Sequence, residues 1–274
     1  VKGQIEYVNS TFEQVTGYTK EEVIGQNPRI FASGETTHAE DEELWRTILA
    51  GKTWRGIFKN KKKNGHYYWG NGLITPIRNE KGQITHFLAV QEDITEKMQT
   101  EERAKYLASH DELTGILNRT CFMEQLNEWL SHNKDYNQTG VLLLIDIDGF
   151  RLINDTYGHS TGDNVLRHVA EFLITTLFEM DKHYVNRDVK ESILSRLGGD
   201  EFAIFLPARD EKEGIATAEE IRKRLEKSRF VEVPGHVTTS IGVAIYPSDG
   251  STTKELLTKA DASIYHAKEL GHNR

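Results

Sequence analysis

One apolar run in the second half of the chain constrains the fold most. Residues 141–145 read Val-Leu-Leu-Leu-Ile, and Asp146, Ile147 and Asp148 follow directly. The run predicts the most apolar strand of the chain, over residues 141–147. Because side chains alternate along a strand, we expect Asp146 and Asp148 to leave the same face, at the edge where the core ends.

The pattern after this strand predicts one sheet covered by helices. A helix is expected from about Gly162, with its apolar residues on one face. The remaining expected elements are strands over 193–197 and 202–206, which flank Gly198-Gly199-Asp200-Glu201, a helix over 213–227, a strand over 237–246 and a helix from Lys254 to about Leu270. Strands alternating with helices around a hairpin predict an α+β sandwich.

The first half has a different pattern, rich in glycine punctuation, that predicts short strands, turns and a few helical turns. Asn64-Gly65 and Glu80-Lys81-Gly82 both lie between apolar segments and predict hairpin turns of an antiparallel sheet. Residues 94–109 are charged and lack glycine and proline, which predicts a linker helix with a weak seam for pairing. A chain of 274 residues is long enough for two domains.

Bulk composition limits the partners and the compartment. The 42 acidic and 34 basic side chains leave a net charge of -8, which disfavours nucleic acid as a partner. The single cysteine, Cys121, excludes an internal disulfide and a multi-cysteine metal site, as expected in the cytoplasm. No apolar run approaches the roughly 20 residues of a membrane span, so no membrane contact is expected within this segment. Because the chain opens at Val1, we expect it to belong to a longer protein that could be membrane-attached.

Two acidic strand ends in one sheet predict a magnesium site. Asp146 and Asp148 close one strand, and Asp200-Glu201 follow two glycines at a hairpin tip, where a ligand can approach the backbone. Magnesium takes oxygen ligands and binds through one or two carboxylates together with substrate phosphates. This arrangement is typical of enzymes that act on nucleoside triphosphates.

The residues 198–202, Gly-Gly-Asp-Glu-Phe, spell the signature of the GGDEF family, which the chain resembles from about residue 108 to 274. Further blocks that match in order and spacing are Asp111-Glu112-Leu113-Thr114, Asn118-Arg119, Asn154-Asp155-Thr156-Tyr157-Gly158-His159, Gly162-Asp163, Ser240-Ile241-Gly242-Val243-Ala244 and Ala260-Asp261 with Lys268. The resemblance implies a palm-like fold similar to that of nucleotide cyclases. It also implies a diguanylate cyclase, which condenses two GTP into cyclic di-GMP and two pyrophosphates in a homodimer.

The resemblance also implies roles for individual residues. Asp146, Asp200 and the Ile147 carbonyl would bind the metal, with two Mg²⁺ ions per active site. The other implied roles are guanine binding for Asn154 and Asp163, phosphate binding for Lys268 and, less firmly, His272, and either a base or a structural role for Glu201. Gly149 departs from the family pattern, and His272 replaces the usual second basic residue, which weakens its hold on phosphate at neutral pH. Arg196 is interpreted either as a phosphate contact or as an ordinary strand arginine.

The first half resembles a PAS domain over residues 1–97. The motifs that match are Val8-Asn9, Gly17-Tyr18, Ile24-Gly25-Gln26-Asn27-Pro28, Lys63-Asn64-Gly65 and Asp93-Ile94-Thr95. Pro28 stands where flavin-binding light sensors carry an adduct-forming cysteine, which excludes that photochemistry. Asn60 and Gln91 align with residues that hold flavin in those relatives, so a flavin stays open as an alternative to the preferred empty or small-molecule core; the PAS ligand itself is unknown.

The expected organisation is a PAS domain at 1–97, a signalling linker helix at 98–110 and a GGDEF domain at 111–274, dimerising through the PAS domain and the linker. Many family members bind their product at an arginine and an aspartate, and here Val189 and Ser192 occupy those places, which predicts no inhibitory product site. Two alternatives are a catalytically silent GGDEF domain that binds nucleotide and relays a signal, and a module that acts through PAS-driven dimerisation.

Overall fold

The structure, a computed structural model, describes residues 3–34, 38–133, 138–181, 192–230 and 233–274. Contacts divide the chain into two compact units, the first ending at Ala104 and the second beginning at Lys105. Within the described ranges, no helix has both the length and the apolar character needed to cross a membrane.

The first unit places its helices ahead of its sheet. Its elements are α1 (Ser10–Thr16), α2 (Lys20–Val23), a 3₁₀ turn (Pro28–Phe31), α3 (His38–Leu49), β1 (Trp54–Lys61), β2 (Tyr67–Arg78) and β3 (Ile84–Asp93). The strands are antiparallel in the order β1-β2-β3, and both predicted hairpin turns are confirmed. The expected helical turns are α1, α2, the 3₁₀ turn and α3, of which α3 is the longest at 12 residues and buries Ile48.

The sheet of the first unit leads directly into the linker helix α4 (Thr95–Ser109). Asp93 accepts hydrogen bonds from the backbone N–H and the hydroxyl of Thr95, at 3.0 and 2.5 Å, and it pairs with Lys62 at 3.2 Å. Thr95 in turn accepts a hydrogen bond from the backbone N–H of Trp69 in β2, at 2.9 Å. The start of α4 is therefore bonded to the sheet. The structure describes all residues of α4, and none of them is buried.

The second unit is the predicted sandwich. Its elements are β4 (Leu117–Asn118), α5 (Arg119–Asn133), β5 (Gly140–Ile147), α6 (Phe150–Tyr157), α7 (His159–Asp181), β6 (Ile193–Gly198), β7 (Glu201–Pro207), α8 (Glu211–Lys227), β8 (Thr239–Tyr246) and α9 (Thr253–Glu269). The described strands form one sheet in the order β4-β6-β7-β5-β8. Every residue of β5 is buried, as its composition predicts.

Alternation along β5 divides the core into two layers. Val141 and Leu143 face the side covered by α6, α7 and α8, whereas Leu142 and Leu144 face α5 and α9. The sequence interpretation missed α6 and started the next helix about three residues late. Gly158, with φ of 86°, separates α6 from α7 and made the segment resemble a simple turn.

Candidate active site

The two acidic strand ends predicted from the sequence meet at one edge of the second sheet. Asp146, the penultimate residue of β5, lies opposite Glu201, the first residue of β7. Residues 198–201 form the turn between β6 and β7, called here the signature turn. The backbone N–H of Ile147 donates to the carbonyl of Asp200 at 3.3 Å, which places this signature turn against the end of β5. The predicted metal ligands Asp146, Ile147 and Asp200 are thereby brought together.

Lys268 of α9 brings a cation into this cluster. Its Nζ lies 2.7 Å from Oδ1 of Asp146, whose side chain is only 10% exposed. Burial and the negative charges of Asp200 and Asp148 raise the pKa of Asp146, although the hydrogen bond from Lys268 acts in the opposite direction. Burial tends to lower the pKa of Lys268, but the contact with Asp146 outweighs this effect and raises it. Together these shifts indicate an excess of negative charge that one lysine does not neutralise.

Glu201 lies in the same negative field. Burial raises its pKa, and the charges of Asp146, Asp200 and Asp261 raise it further, while Arg119 lowers it. Asp261 and Arg119 entered the sequence analysis only as parts of matching blocks, with no role at the site. A helical period could have indicated Asp261, because it lies seven residues before Lys268 and so on the same face of α9.

The chemistry of these donors fits magnesium. Among the described residues, no group of three or more His, Cys, Asp or Glu side chains is placed to hold a metal ion. Two carboxylates and a backbone carbonyl are hard oxygen donors, and Mg²⁺ commonly binds to so few protein ligands while water and substrate phosphates complete its octahedron. The excess negative charge around Asp146 provides the electrostatic attraction for such a cation.

The residues expected to bind guanine are also close together. Asn154 lies in α6, and Gly162 and Asp163 lie in the first turns of α7. A Cβ atom added to Gly162 would overlap with Oδ1 of Asn154, so the missing side chain of this glycine lets Asn154 pack against α7. The structure therefore brings Asn154 next to the residue that precedes Asp163.

Arg196 has a structural role that the sequence left open. Its Nη1 donates to both carboxylate oxygens of Asp111, at 3.0 and 3.2 Å, and its Nε and Nη2 donate to the carbonyl of Gly199, at 3.0 and 2.7 Å. These bonds join the signature turn to the segment that follows α4. The turn itself needs glycine, because Gly198 and Gly199 have φ angles of 142° and 55°.

The two departures from the family pattern lie at special backbone positions. Gly149 caps the start of α6 with φ of 67°, a left-handed conformation that favours glycine. His272 is exposed beyond the end of α9, and its backbone N–H donates to the carbonyl of Ala267 at 3.1 Å. A phosphate contact by His272 stays a prediction.

In the first unit, a buried tyrosine links the two residues expected to contact a PAS ligand. Nδ2 of Asn60 donates to the Tyr68 hydroxyl at 3.3 Å, and that hydroxyl donates to Oε1 of Gln91 at 3.4 Å. Tyr68 is 2% exposed, and its burial raises the pKa of its hydroxyl. A ligand that used Asn60 and Gln91 would have to replace these bonds. The flavin contact also stays a prediction.

The predicted loss of an inhibitory product site depends on Val189 and Ser192. Val189 lies outside the described residues, and Ser192 directly precedes β6. The expectation therefore stays a prediction.

Comparisons with known proteins identify both halves of the chain. The profile of the family described as "Diguanylate cyclase, GGDEF domain" matches residues 108–274, and a PAS domain profile matches residues 1–96. The probable diguanylate cyclase DgcE of Escherichia coli is 28% identical over 277 residues, which cover 99% of this chain and 24% of DgcE. The cyclic di-GMP phosphodiesterase PdeR of Escherichia coli is 29% identical over 293 residues, which cover 100% of this chain and 40% of PdeR. The chain thus spans less than half the length of these curated relatives.

A solved structure supports the fold of the second unit. The coiled coil and GGDEF domain of DgcB from Caulobacter crescentus, in complex with c-di-GMP, is 29% identical and superposes with a TM-score of 0.55. The match covers 66% of this chain and 91% of that one. This structural match agrees with the profile match, which covers more than half of the sequence. The chain therefore belongs to the GGDEF family of diguanylate cyclases and carries a PAS domain ahead of its GGDEF domain.

Proposed function

We propose that this chain condenses two molecules of GTP into cyclic di-GMP and two pyrophosphates. The observation that carries the proposal is the cluster at the end of β5, where Asp146, Asp200 and Glu201 meet Lys268. A group of carboxylates that includes the buried Asp146, placed beside a lysine, suits a site that binds a metal with a triphosphate. Names of relatives that include diguanylate cyclases agree with this function.

The reaction consists of two identical displacements. The 3′-hydroxyl of each GTP loses its proton and attacks the α-phosphorus of the other GTP, and the bond from that phosphorus to pyrophosphate breaks. Each domain holds one GTP, so two copies of the chain have to face each other as a homodimer. Positioning and charge neutralisation supply most of the catalysis in phosphoryl transfer, which places the main demand on the binding residues.

Each predicted residue has a defined task in this scheme. Asp146, Asp200 and the Ile147 carbonyl would hold Mg²⁺, two ions per site, which neutralises charge on the phosphates. Asn154 and Asp163 would hold guanine, Asp163 by accepting hydrogen bonds from N1–H and the 2-amino group. Lys268 and His272 would contact phosphates. Glu201 has two alternative roles. Its raised pKa suits a base that takes the 3′-hydroxyl proton, and its position opposite Asp146 suits a structural role beside the metal ligands.

The PAS domain would control how often two GGDEF domains meet. The domain boundaries that we propose are 1–97, 98–110 and 111–274. Hydrogen bonds from Thr95 and Trp69 tie the start of α4 to the PAS sheet, so a change in that sheet would be passed to the helix. Inserting two residues into α4 would rotate its ends by roughly 200° relative to each other. Unchanged activity in that variant would show that the helix is a passive tether.

A silent relay is the second candidate function. It is favoured by the match of the whole chain to PdeR, a protein named as a phosphodiesterase. The presence of Asp146, Asp200, Glu201 and Lys268 favours catalysis instead, because a nucleotide-binding relay has no need of a complete carboxylate cluster.

The test is to incubate the purified chain with GTP and Mg²⁺ and to identify the product by mass. We expect cyclic di-GMP from the unmutated chain and none from a folded Asp200→Asn variant. Asp155→Asn is the matched control, since Asp155 is exposed and its ion pair with Arg151 is a 3.8 Å surface contact. GTP binding without product would favour the relay, and full activity of Asp200→Asn would remove the proposed mechanism. An absorbance spectrum of the same sample tests for flavin.

A further inference from the structure

The residues that follow α9 pass around the edge of the second sheet. β8 is the outermost strand on that side, and its Ile241 N–H donates to the carbonyl of Arg274 at 2.9 Å. α9 covers one face of the sheet, the face of Leu142, and α8 covers the other. Residues 271–274 thus connect the two helical layers at the edge next to Asp146.

Asn273 makes the connection with three hydrogen bonds. Its Oδ1 accepts from Nη1 of Arg222 at 2.8 Å, and its Nδ2 donates to Oε1 of Glu226 at 2.9 Å, so both polar atoms of its side chain bond to α8. Its backbone N–H donates to Oδ2 of Asp148 at 3.1 Å. The residue has φ of 53°, a left-handed conformation that asparagine tolerates better than most residues.

The partners of Asn273 are themselves held in place. Arg222 is 14% exposed and also bonds Glu219 and Glu226. The Arg222 hydrogen bond lowers the pKa of Glu219 to about 2, so this pair is ionised at neutral pH. The arginine therefore offers Nη1 to Asn273 from a rigid position on α8.

Asp148, like Arg222, is held by several hydrogen bonds. It directly follows β5, at the end of the strand that carries Asp146. It accepts hydrogen bonds from the hydroxyls of Thr238 and Ser240, both at 2.7 Å. It lies two residues after Asp146, whereas Asn273 lies five residues after Lys268. Asn273 thus bonds the end of the helix that carries the lysine to the end of the strand that carries its aspartate.

We propose that Asn273 is a positioning residue, which sets the placement of Lys268 at the phosphate site by bonding the end of α9 to both α8 and Asp148. The inference rests on the proposed function, because it assumes that Lys268 contacts the phosphates of GTP. It predicts that a contact with a helix on the opposite face of the sheet controls nucleotide affinity.

The experiment measures binding of a non-hydrolysable GTP analogue, bridged by methylene between the α- and β-phosphorus, to the full chain with Mg²⁺ by calorimetry. Asn273→Gly keeps the left-handed backbone and the backbone N–H but removes both side-chain hydrogen bonds. Arg222→Gln removes the guanidinium that donates to Oδ1 of Asn273. We expect each to weaken binding about tenfold, which corresponds to about 1.4 kcal/mol of binding free energy lost when Lys268 is less well placed. Arg224→Gln is the matched control on α8, because Arg224 pairs with Glu220 and Glu179 and is 42% exposed. It should change affinity less than about twofold.

A double-mutant cycle separates positioning from general stability. If Asn273 acts through Lys268, Asn273→Gly should weaken binding no further in a Lys268→Met chain. Thermal melting of each variant sets a temperature at which all of them are folded. Equal losses in both backgrounds, or unchanged affinity of Asn273→Gly and Arg222→Gln, would overturn the inference alone. Failure of the unmutated chain both to bind the analogue and to form cyclic di-GMP would overturn the proposed function and the inference with it.

Discussion

Replacing Arg196 with glutamine tests how the signature turn is held. Arg196 is 12% exposed and Asp111 is 23% exposed, so their ion pair is largely withdrawn from water. Breaking a buried pair by removing one partner costs about 3–5 kcal/mol, and an exposed pair contributes about 0.2–1 kcal/mol. Partial exposure places this pair between the two classes, at about 2 kcal/mol. For a domain of this size, that loss lowers the melting temperature by roughly 4–8 °C.

The pH dependence of the effect follows from the pKa of Asp111. Burial tends to raise that pKa, but hydrogen bonds from Thr114 and Arg196 outweigh burial and hold it below its usual value. A carboxyl with a lowered folded-state pKa contributes stability above its unfolded value of about 3.9 and loses it as the pH falls through the folded value. The difference between the unmutated chain and Arg196→Gln should therefore be complete at pH 7 and should shrink below about pH 4.

The assay is scanning calorimetry of the full chain at pH 7 and at lower pH, with two further variants. Arg196→Lys keeps the charge but lacks the fork that reaches both Asp111 and Gly199, so we expect it to recover about half of the loss. Arg224→Gln, which breaks a more exposed pair, should cost less than about 1 kcal/mol. If Arg196→Gln is no less stable than Arg224→Gln, the bonds of Arg196 to Asp111 and Gly199 contribute nothing to the free energy of unfolding.

Other predictions address the helix layer, base choice, proton dependence and feedback. A Cβ at Gly242 would overlap the backbone of α9, so Gly242→Ala should cost about 1–3 kcal/mol and reduce turnover; normal melting and turnover would contradict the packing. Asp163→Ser should admit ATP, measured as mixed products by mass, and efficient use of ATP by the unmutated chain would refute the assignment. Because burial and neighbouring charges raise the pKa of Glu201, turnover should fall on acidification at a higher pH than it would with an ordinary glutamate as the base. In the Glu201→Gln variant, this fall of turnover at acidic pH should be absent from the pH profile. With Val189 and Ser192 in place of a charged pair, calorimetry should detect no cyclic di-GMP binding at low micromolar concentration.

Short-range chemistry made much of this protein predictable from its sequence. The apolar run before Asp146 predicted a buried strand, and two glycines before Asp200 predicted the turn that carries the second acidic pair. Both features depend on residues that are neighbours in the chain, and their physical causes, alternation and left-handed backbone, act over a few residues. The expected hairpins of the first unit were confirmed for the same reason.

Tertiary structure decided which distant residues meet. Arg196 and Asp111 are 85 residues apart, and Asn273 is 125 residues from Asp148 and 51 from Arg222. No periodicity or turn pattern relates such positions, because their contact depends on the order of strands in the sheet and on which face each helix covers. The sequence by itself therefore determined the chemical groups and the local elements of the candidate site. Packing across the sheet determined their partners, since a hydrogen bond forms only when the whole topology brings donor and acceptor to about 3 Å.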